Sequence, residues 1–151
     1  MFVLDTNVLS ELRKNPANPA VLQWVRDYDE DPLFTTAVTV YEIKRGILDV
    51  PARDTRQSAV LDRWLDRVLE RFQDRILSLD AAAALQAAEA NKRTNIDLRD
   101  CMVAAIANTN HMTVVTRNQK HLARSPLGLS TRGLAPSPEG TDRTGFCWQA
   151  S

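Results

Sequence analysis

Short apolar runs alternate with helix-like segments along most of this 151-residue chain, and this alternation constrains the fold more than any other feature. The β-prone runs begin at Phe2, Leu33, Ile76 and Met112, and helical spacing of apolar residues follows each of the first three. Strands separated by helices form right-handed parallel crossovers. The pattern therefore predicts an α/β fold with a mainly parallel central sheet, in a chain whose length suits one domain.

The most regular helical pattern runs from Val60 to Phe72, where apolar residues recur every three or four positions. We expect this stripe to pack in the core, with pairing to another subunit as the alternative. The segment from Cys101 to Ala107 has no polar residue, so we expect a helix that is buried on nearly all sides. Ile76–Leu79 reads as a strand, and the Ala-rich segment 80–93 reads as a helix.

The end of the chain differs in composition from the rest. Residues 125–151 hold four of the five glycines and three of the seven prolines, without periodicity. We therefore predict a folded domain over residues 1–124 and an irregular or disordered tail over residues 125–151.

Charge is balanced over the whole chain, with 19 basic and 19 acidic residues, so the molecule lacks the strong positive field of a sequence-blind nucleic-acid binder. The region from Lys92 to Arg124 is locally basic, which leaves open either a nucleic-acid-binding rim or an ordinary solvated surface. No apolar run approaches the roughly 20 residues of a membrane span, and no basic leader precedes Phe2. We expect a soluble, cytoplasmic protein without membrane association.

Three carboxylates occupy positions where chemistry is plausible, and each also has a structural explanation. Asp5 follows the first strand and is a favourable helix cap; Glu42 lies in a helix with many apolar neighbours; Asp100 opens the apolar helix, three residues after Asp97. If the three converge, their repulsion favours protonation or a bound cation. Oxygen ligands of this kind suit Mg²⁺ or Mn²⁺, and such sites hydrolyse phosphodiesters.

Several segments, in this order, resemble the successive motifs of PIN-domain toxins, above all those of the FitB-like branch of the VapC family. The four principal segments are Leu4–Glu11 (LDTNVLSE), Thr36–Ile47 (TAVTVYEIKRGI), Asp100–Ala107 (DCMVAAIA) and Thr113–Asn118 (TVVTRN). A further similar segment is Arg75–Asp80 (RILSLD). The similarity covers roughly residues 2–122, and the ordered set is far more specific than any single motif.

The resemblance implies a three-layer α/β/α sandwich of the PIN-domain type and a metal-dependent endoribonuclease, with Mg²⁺ or Mn²⁺ as the cofactor. It also implies a toxin of a type II toxin–antitoxin system that is a homodimer, is held in check by a cognate antitoxin protein, and cleaves structured RNA such as tRNA or rRNA. By the motif match the metal ligands and catalytic residues are Asp5, Glu42 and Asp100. The supporting residues are Thr6, Asn7, Asp97, Thr116 and Asn118, and the candidate RNA-binding residues are Arg99, Arg117 and Lys120.

Two departures from the family pattern keep alternatives open. Asn118 stands where many PIN domains carry a fourth acid, and soon after it the tail offers Leu127 and Leu129 in a Pro/Gly context where relatives have a final apolar strand. One alternative is therefore a catalytically weak PIN module that binds RNA or a partner protein. Another is phosphotransfer by an aspartyl nucleophile, which Asn7 disfavours because it replaces the second acid of an Asp-x-Asp motif.

Overall fold

The computed structural model describes residues 1–28, 32–116 and 131–133, and for the last three it describes the backbone alone. The strands are β1 (Phe2–Leu4), β2 (Leu33–Thr36), β3 (Ile76–Leu77), β4 (Thr113–Thr116) and β5 (Thr131–Gly133). The α-helices are α1 (Thr6–Leu12), α2 (Pro19–Asp27), α3 (Ala37–Leu48), α4 (Thr55–Phe72), α5 (Ala81–Arg93) and α6 (Leu98–Thr109). A short 3-10 helix, Gln73–Arg75, follows α4.

The five strands form one sheet in the order β3-β2-β1-β4-β5, and every neighbouring pair is parallel. In the centre of the sheet Val3 pairs with Phe34 on one side and with Val114 on the other. Helices separate consecutive strands from β1 to β4, as parallel crossovers require. The predicted parallel α/β architecture is confirmed.

Buried residues form two clusters, one on each face of the sheet. Val3 and Val114 pack with the alanines of α5 and α6, whereas Leu4 and Val115 pack with α1, α2, α3 and α4. Adjacent residues of one strand separate in this way because successive side chains point to opposite faces. The predicted three-layer α/β/α sandwich is confirmed.

Each of the six α-helices in the described part begins at a polar side chain that accepts a hydrogen bond from a backbone N–H of the first turn. The capping residues are Asp5, Asn18, Thr36, Asp54, Asp80 and Asp97. These caps satisfy donors that a helix otherwise leaves unpaired. Asp5 and Asp97 therefore cap helices, as their positions in the sequence suggested. For Asp5, the capping role does not exclude a role in the candidate site.

The apolar segment of α6 is buried as predicted, since Cys101 and all residues from Val103 to Ala107 belong to the core. The α4 stripe is only partly buried: Leu65, Val68 and Phe72 pack inward, while Val60 and Leu69 remain exposed. Across the described ranges, no helix combines the length and the hydropathy that crossing a bilayer requires.

Two predicted boundaries need correction. Strand β3 ends at Leu77 and not at Leu79, because Asp80 caps α5 and the preceding residues lead into that cap. The expectation of an irregular tail is wrong for Thr131–Gly133, which form β5 and pair with β4 from Val114 to Thr116. Strand pairing uses backbone groups, so this segment needs no apolar sequence to extend the sheet. The other residues of the predicted tail lie outside the described residues.

We predict that the interface between α5 and α6 does not accept larger side chains. Ala87 of α5 is buried in the cluster that holds α6, whereas Ala88 on the same helix is exposed. Ala87→Leu should lower the free energy of unfolding by about 1–3 kcal/mol through overpacking, and Ala88→Leu should change it by less than about 0.5 kcal/mol. Urea denaturation measures both, and equal midpoints for the two variants would contradict this packing.

Candidate functional site

Polar side chains lie where three neighbouring strands end at the same edge of the sheet. Asp5 directly follows β1, Thr36 ends β2, and Thr116 ends β4. Strand β2, which follows β1 in the chain, lies on one side of β1, and β4 lies on its other side. The strand order therefore reverses between β1 and β4. Ligands of parallel α/β sheets bind in the crevice at such a reversal.

Asp5 is the most constrained of these side chains. It is 9% exposed, it accepts a 2.8 Å hydrogen bond from the backbone N–H of Val8, and the Thr116 hydroxyl also donates to it. Burial raises the pKa of Asp5 above its ordinary value, these two hydrogen bonds lower it in part, and the nearby charges of Asp100 and Glu42 raise it further. The carboxylate is therefore held in one orientation in a place where its negative charge is unfavourable.

Glu42 lies in α3 and reaches across to two other helices. Its Oε2 accepts a hydrogen bond from the Thr6 hydroxyl at the start of α1, and its Oε1 lies 3.5 Å from Nε of Arg99 in α6. The side chain is 20% exposed. Glu42 is thus a partly buried acid with partners, which the apolar surroundings of this helix in the sequence suggested.

The start of α6 carries two further carboxylates, Asp97 and Asp100. Asp97 caps the helix, and its Oδ1 accepts from the backbone N–H of Arg99 at 2.9 Å and from the Arg99 guanidinium Nε at 3.0 Å. The side-chain hydrogen bond with Arg99 lowers the pKa of Asp97. This cap sets the first turn of α6, in which Asp100 lies.

The three predicted carboxylates face one cavity of about 110 Å³, which is lined by Asp5, Thr6, Asn7, Glu42, Asp100 and Val103. The structure therefore brings together the residues that the motif order singled out. Of the supporting residues, Thr116 is hydrogen-bonded to Asp5 and does not line the cavity. Asp97 also does not line it and pairs with Arg99. Asn118, Arg117 and Lys120 lie outside the described residues.

Two contributions to the site could not be read from the sequence. Val103 lines the cavity one helical turn after Asp100, but in the sequence it is indistinguishable from the buried residues around it. Arg99 was predicted as an RNA contact, and its position beside both Glu42 and Asp97 makes it the counter-ion of the acidic rim as well. The only sequence signal for that pairing was its proximity to Asp97.

The donor set fits a hard divalent cation, because carboxylate oxygens with neighbouring hydroxyl and amide groups are the ligands that Mg²⁺ and Mn²⁺ prefer. In the arrangement described here, no three Asp, Glu, His or Cys side chains of residues 1–28 and 32–116 are gathered closely enough to hold one ion. Both oxygens of Glu42 face Thr6 and Arg99. The three acids thus line one cavity, and an ion shared by all of them would require at least one of these side chains to move.

The chain is similar in sequence and in fold to several known proteins. Residues 2–125 match the PIN domain. The chain is 34% identical over 134 residues to the VapC ribonuclease Y4jK of Sinorhizobium fredii, covering 85% of this chain and 95% of that protein. It is 28% identical over 123 residues to Toxin FitB of Neisseria gonorrhoeae, covering 78% and 88% of the two chains. The structure of FitAcB from Neisseria gonorrhoeae superposes with a TM-score of 0.75 at 26% identity, covering 87% of this chain and 96% of that one.

We predict that Asp5→Asn stabilises the metal-free protein at neutral pH. Asn caps a helix as well as Asp does, so the variant keeps the bond to Val8 while it loses a buried charge beside Asp100 and Glu42. Because the folded-state pKa of Asp5 is raised, the wild type binds this proton more tightly when folded and loses stability as the pH rises through that pKa.

In EDTA, the melting temperature of Asp5→Asn should exceed that of the wild type at pH 7, and the gap should close as the pH falls below the ordinary Asp value of 3.8. Asp80→Asn is the matched control, because Asp80 caps α5 through a 2.8 Å bond to Ala83 but is exposed. It should not stabilise the protein at pH 7. A lower melting temperature for Asp5→Asn at pH 7 would show that its charge is well accommodated.

Proposed function

The chain belongs to the PIN-domain family, and from this premise we propose that it is an endoribonuclease toxin that hydrolyses RNA phosphodiester bonds at the cavity between Asp5, Glu42 and Asp100. The observation that carries the proposal is that acids from three separate segments face one cavity at the reversal of strand order. Relatives that cover most of the chain are named a VapC ribonuclease and a toxin. The acids, the fold and these names support the same chemistry.

Asp5, Asp100 and Glu42 would hold Mg²⁺ or Mn²⁺ in this site. When bound, such an ion offsets the charge of the scissile phosphate and lowers the pKa of a water molecule, which makes that water a nucleophile at neutral pH. The unfavourable burial of the Asp5 charge beside Asp100 and Glu42 supports a cation at this place, because a positive charge there relieves the repulsion.

The protein's own groups orient the ligands. The Val8 N–H and the Thr116 hydroxyl fix the carboxylate of Asp5, and since a carboxylate offers about four lone-pair positions, others remain for ligation. Partners of this kind hold a ligand in position and raise its affinity for a metal. We assign Asn7, which lines the cavity and is exposed, and Asn118 to contacts with substrate or water.

We propose that the RNA backbone contacts Arg99, and from the sequence we keep Arg117 and Lys120 as further candidate RNA-binding residues. Arg99 is half exposed and stands beside the acids, so it can meet a phosphate next to the one that is cleaved. RNA binding by a few local cations is compatible with the zero net charge of the chain. Such cations contact phosphates at one place and do not give the whole protein a general attraction to nucleic acid.

We further propose that the toxin works as a homodimer on structured RNA such as tRNA or rRNA, and that a cognate antitoxin protein inhibits it. The support is the family, together with the toxin name of the relative from Neisseria gonorrhoeae. Exposed apolar side chains on α3, Tyr41 at 58% and Leu48 at 67%, add a surface that a protein partner would cover.

One observation favours a second candidate, a PIN module that binds RNA or a protein without cleaving RNA. Glu42 is engaged by Thr6 and Arg99, and the residue two places after Thr116 is Asn118 in place of an acid. Metal titration separates the two candidates. Binding of RNA without any binding of Mn²⁺ at millimolar concentration supports the module, and saturable Mn²⁺ binding supports the nuclease.

We predict RNA cleavage that requires Mg²⁺ or Mn²⁺ and the acids of the cavity. Asp5→Asn and Asp100→Asn should each lower the rate by more than the roughly 10- to 100-fold that loss of an outer partner of a metal ligand costs. Asp80→Asn makes the same chemical change at an exposed helix cap outside the cavity and should keep the wild-type rate. Cleavage that persists in EDTA, or in Asp5→Asn, would remove the proposal.

We predict that Arg99→Gln weakens RNA binding and reduces its dependence on salt. Loss of one phosphate contact should lower the slope of log affinity against log salt by about one, with little effect on sequence preference. Lys44→Gln is the control, since Lys44 shares a helix with Glu42 but pairs with Asp62 at 2.6 Å. Filter binding in EDTA measures both slopes. An unchanged slope for Arg99→Gln means that Arg99 serves only the carboxylates.

A further inference from the structure

A second cavity of about 260 Å³ adjoins the carboxylate cavity and shares Thr6 and Glu42 with it. Its other lining residues are Ser10 from α1, Arg13 directly after α1, Gly46 from α3, Trp64 from α4, and the apolar side chains Ile43, Ile47 and Leu61. A hydroxyl, a guanidinium and an indole ring therefore lie next to the proposed cleavage site, and none of them has a part in holding the carboxylates.

Gly46 contributes open space to this cavity. It lies inside α3, where glycine is unfavourable compared with alanine, and a Cβ placed on it would meet no atom within 4 Å. No close neighbour therefore requires a glycine at this position. The absent side chain keeps that part of the cavity wall open beside Glu42.

Arg13 lies over the ring of Trp64 in a cation–π contact at the cavity wall. The guanidinium carbon of Arg13 lies 5.5 Å from the centre of the ring, and Arg13 directly follows α1 whereas Trp64 belongs to α4. Arg13 is exposed, so it can move relative to the ring without any change in the core. Indole rings and guanidinium planes are the two surfaces on which proteins stack unpaired RNA bases.

We propose that this second cavity is a nucleotide subsite that receives the nucleotide adjacent to the scissile phosphate, with its base against Trp64 and Arg13 and its ribose or phosphate near Ser10 and Thr6. The inference rests on the proposed function and deepens it. Two observations favour RNA as the occupant. The cavity shares Thr6 and Glu42 with the carboxylate cavity, and its indole ring, guanidinium and hydroxyls match a base and a sugar.

The test uses the full chain in EDTA, so that no cleavage takes place. The probes are adenosine, guanosine, cytidine and uridine 5′-monophosphates, with ribose 5-phosphate as the probe that lacks a base. Binding is followed by the NMR signal of the Trp64 indole N–H, which a Trp64→Phe variant identifies. Trp24 is buried in the core and serves as the internal reference.

At least one nucleotide should shift the Trp64 signal in a saturable way, while ribose 5-phosphate should shift it much less. Gly46→Leu should weaken this binding by about 5- to 100-fold, the range expected for one stacked base, because the longer side chain enters the cavity. Gly46→Ala is the matched control and should bind within a few-fold of the wild type. Should Gly46→Leu displace the Trp24 signal, Arg13→Gln replaces it as the test variant, since Arg13 is exposed.

An unchanged Trp64 signal with all four nucleotides, as expected if the cavity takes a partner's peptide, overturns the subsite. So does an equal response to ribose 5-phosphate, which would reduce the site to a phosphate contact. The outcome is independent of the nuclease proposal: a chain that cleaves RNA but binds no nucleotide at Trp64 contradicts the subsite alone. A chain that binds nucleotides but never cleaves RNA contradicts the nuclease alone.

Discussion

The placement of a negative charge in a poorly solvated position is the constraint on which the rest of this structure depends. Asp5 follows the central strand β1, and burial together with two neighbouring acids makes its ionised form unfavourable. The same carboxylate caps α1 and accepts a hydrogen bond from Thr116, the last residue of β4. One carboxylate thus links the sheet to the first helix and defines the centre of the site.

The surrounding residues compensate that charge only in part. Glu42 bonds to Thr6 and lies near Arg99, and Arg99 in turn pairs with Asp97. These contacts engage both carboxylate oxygens of Glu42. The three acids line one cavity but are not close enough in this arrangement to share an ion, so the proposed metal site requires at least one of them to move.

Much of this could be predicted from the sequence because the relevant signals are local. Alternation of apolar runs and helical spacing predicted the parallel sheet, and the residue types at strand and helix starts predicted the caps at Asp5 and Asp97. The meeting of residues 5, 42 and 100 depends on tertiary packing. Only the ordered resemblance to a family indicated it before the structure did.

What could not be predicted depends on contacts between distant segments or on backbone pairing. Val60 belongs to a regular apolar stripe, yet it is exposed because α4 contacts the core through another part of its surface. Strand β5 has the sequence Thr-Arg-Gly, which carries no apolar pattern, and it forms through pairing with β4. The role of Gly46 could not be predicted from the sequence, because it depends on the open space next to this residue in the folded protein.

The most direct measurement is a crystal structure after soaking in Mn²⁺, with the ion located by its anomalous scattering. The account predicts a peak in the cavity within bonding distance of the Asp5 and Asp100 carboxylates, with Glu42 turned from Thr6 toward the ion. The contrary result is an empty cavity at saturating Mn²⁺, with Glu42 still bonded to Thr6 and paired with Arg99. In that case the acids serve the fold, and the chemistry proposed for them is wrong.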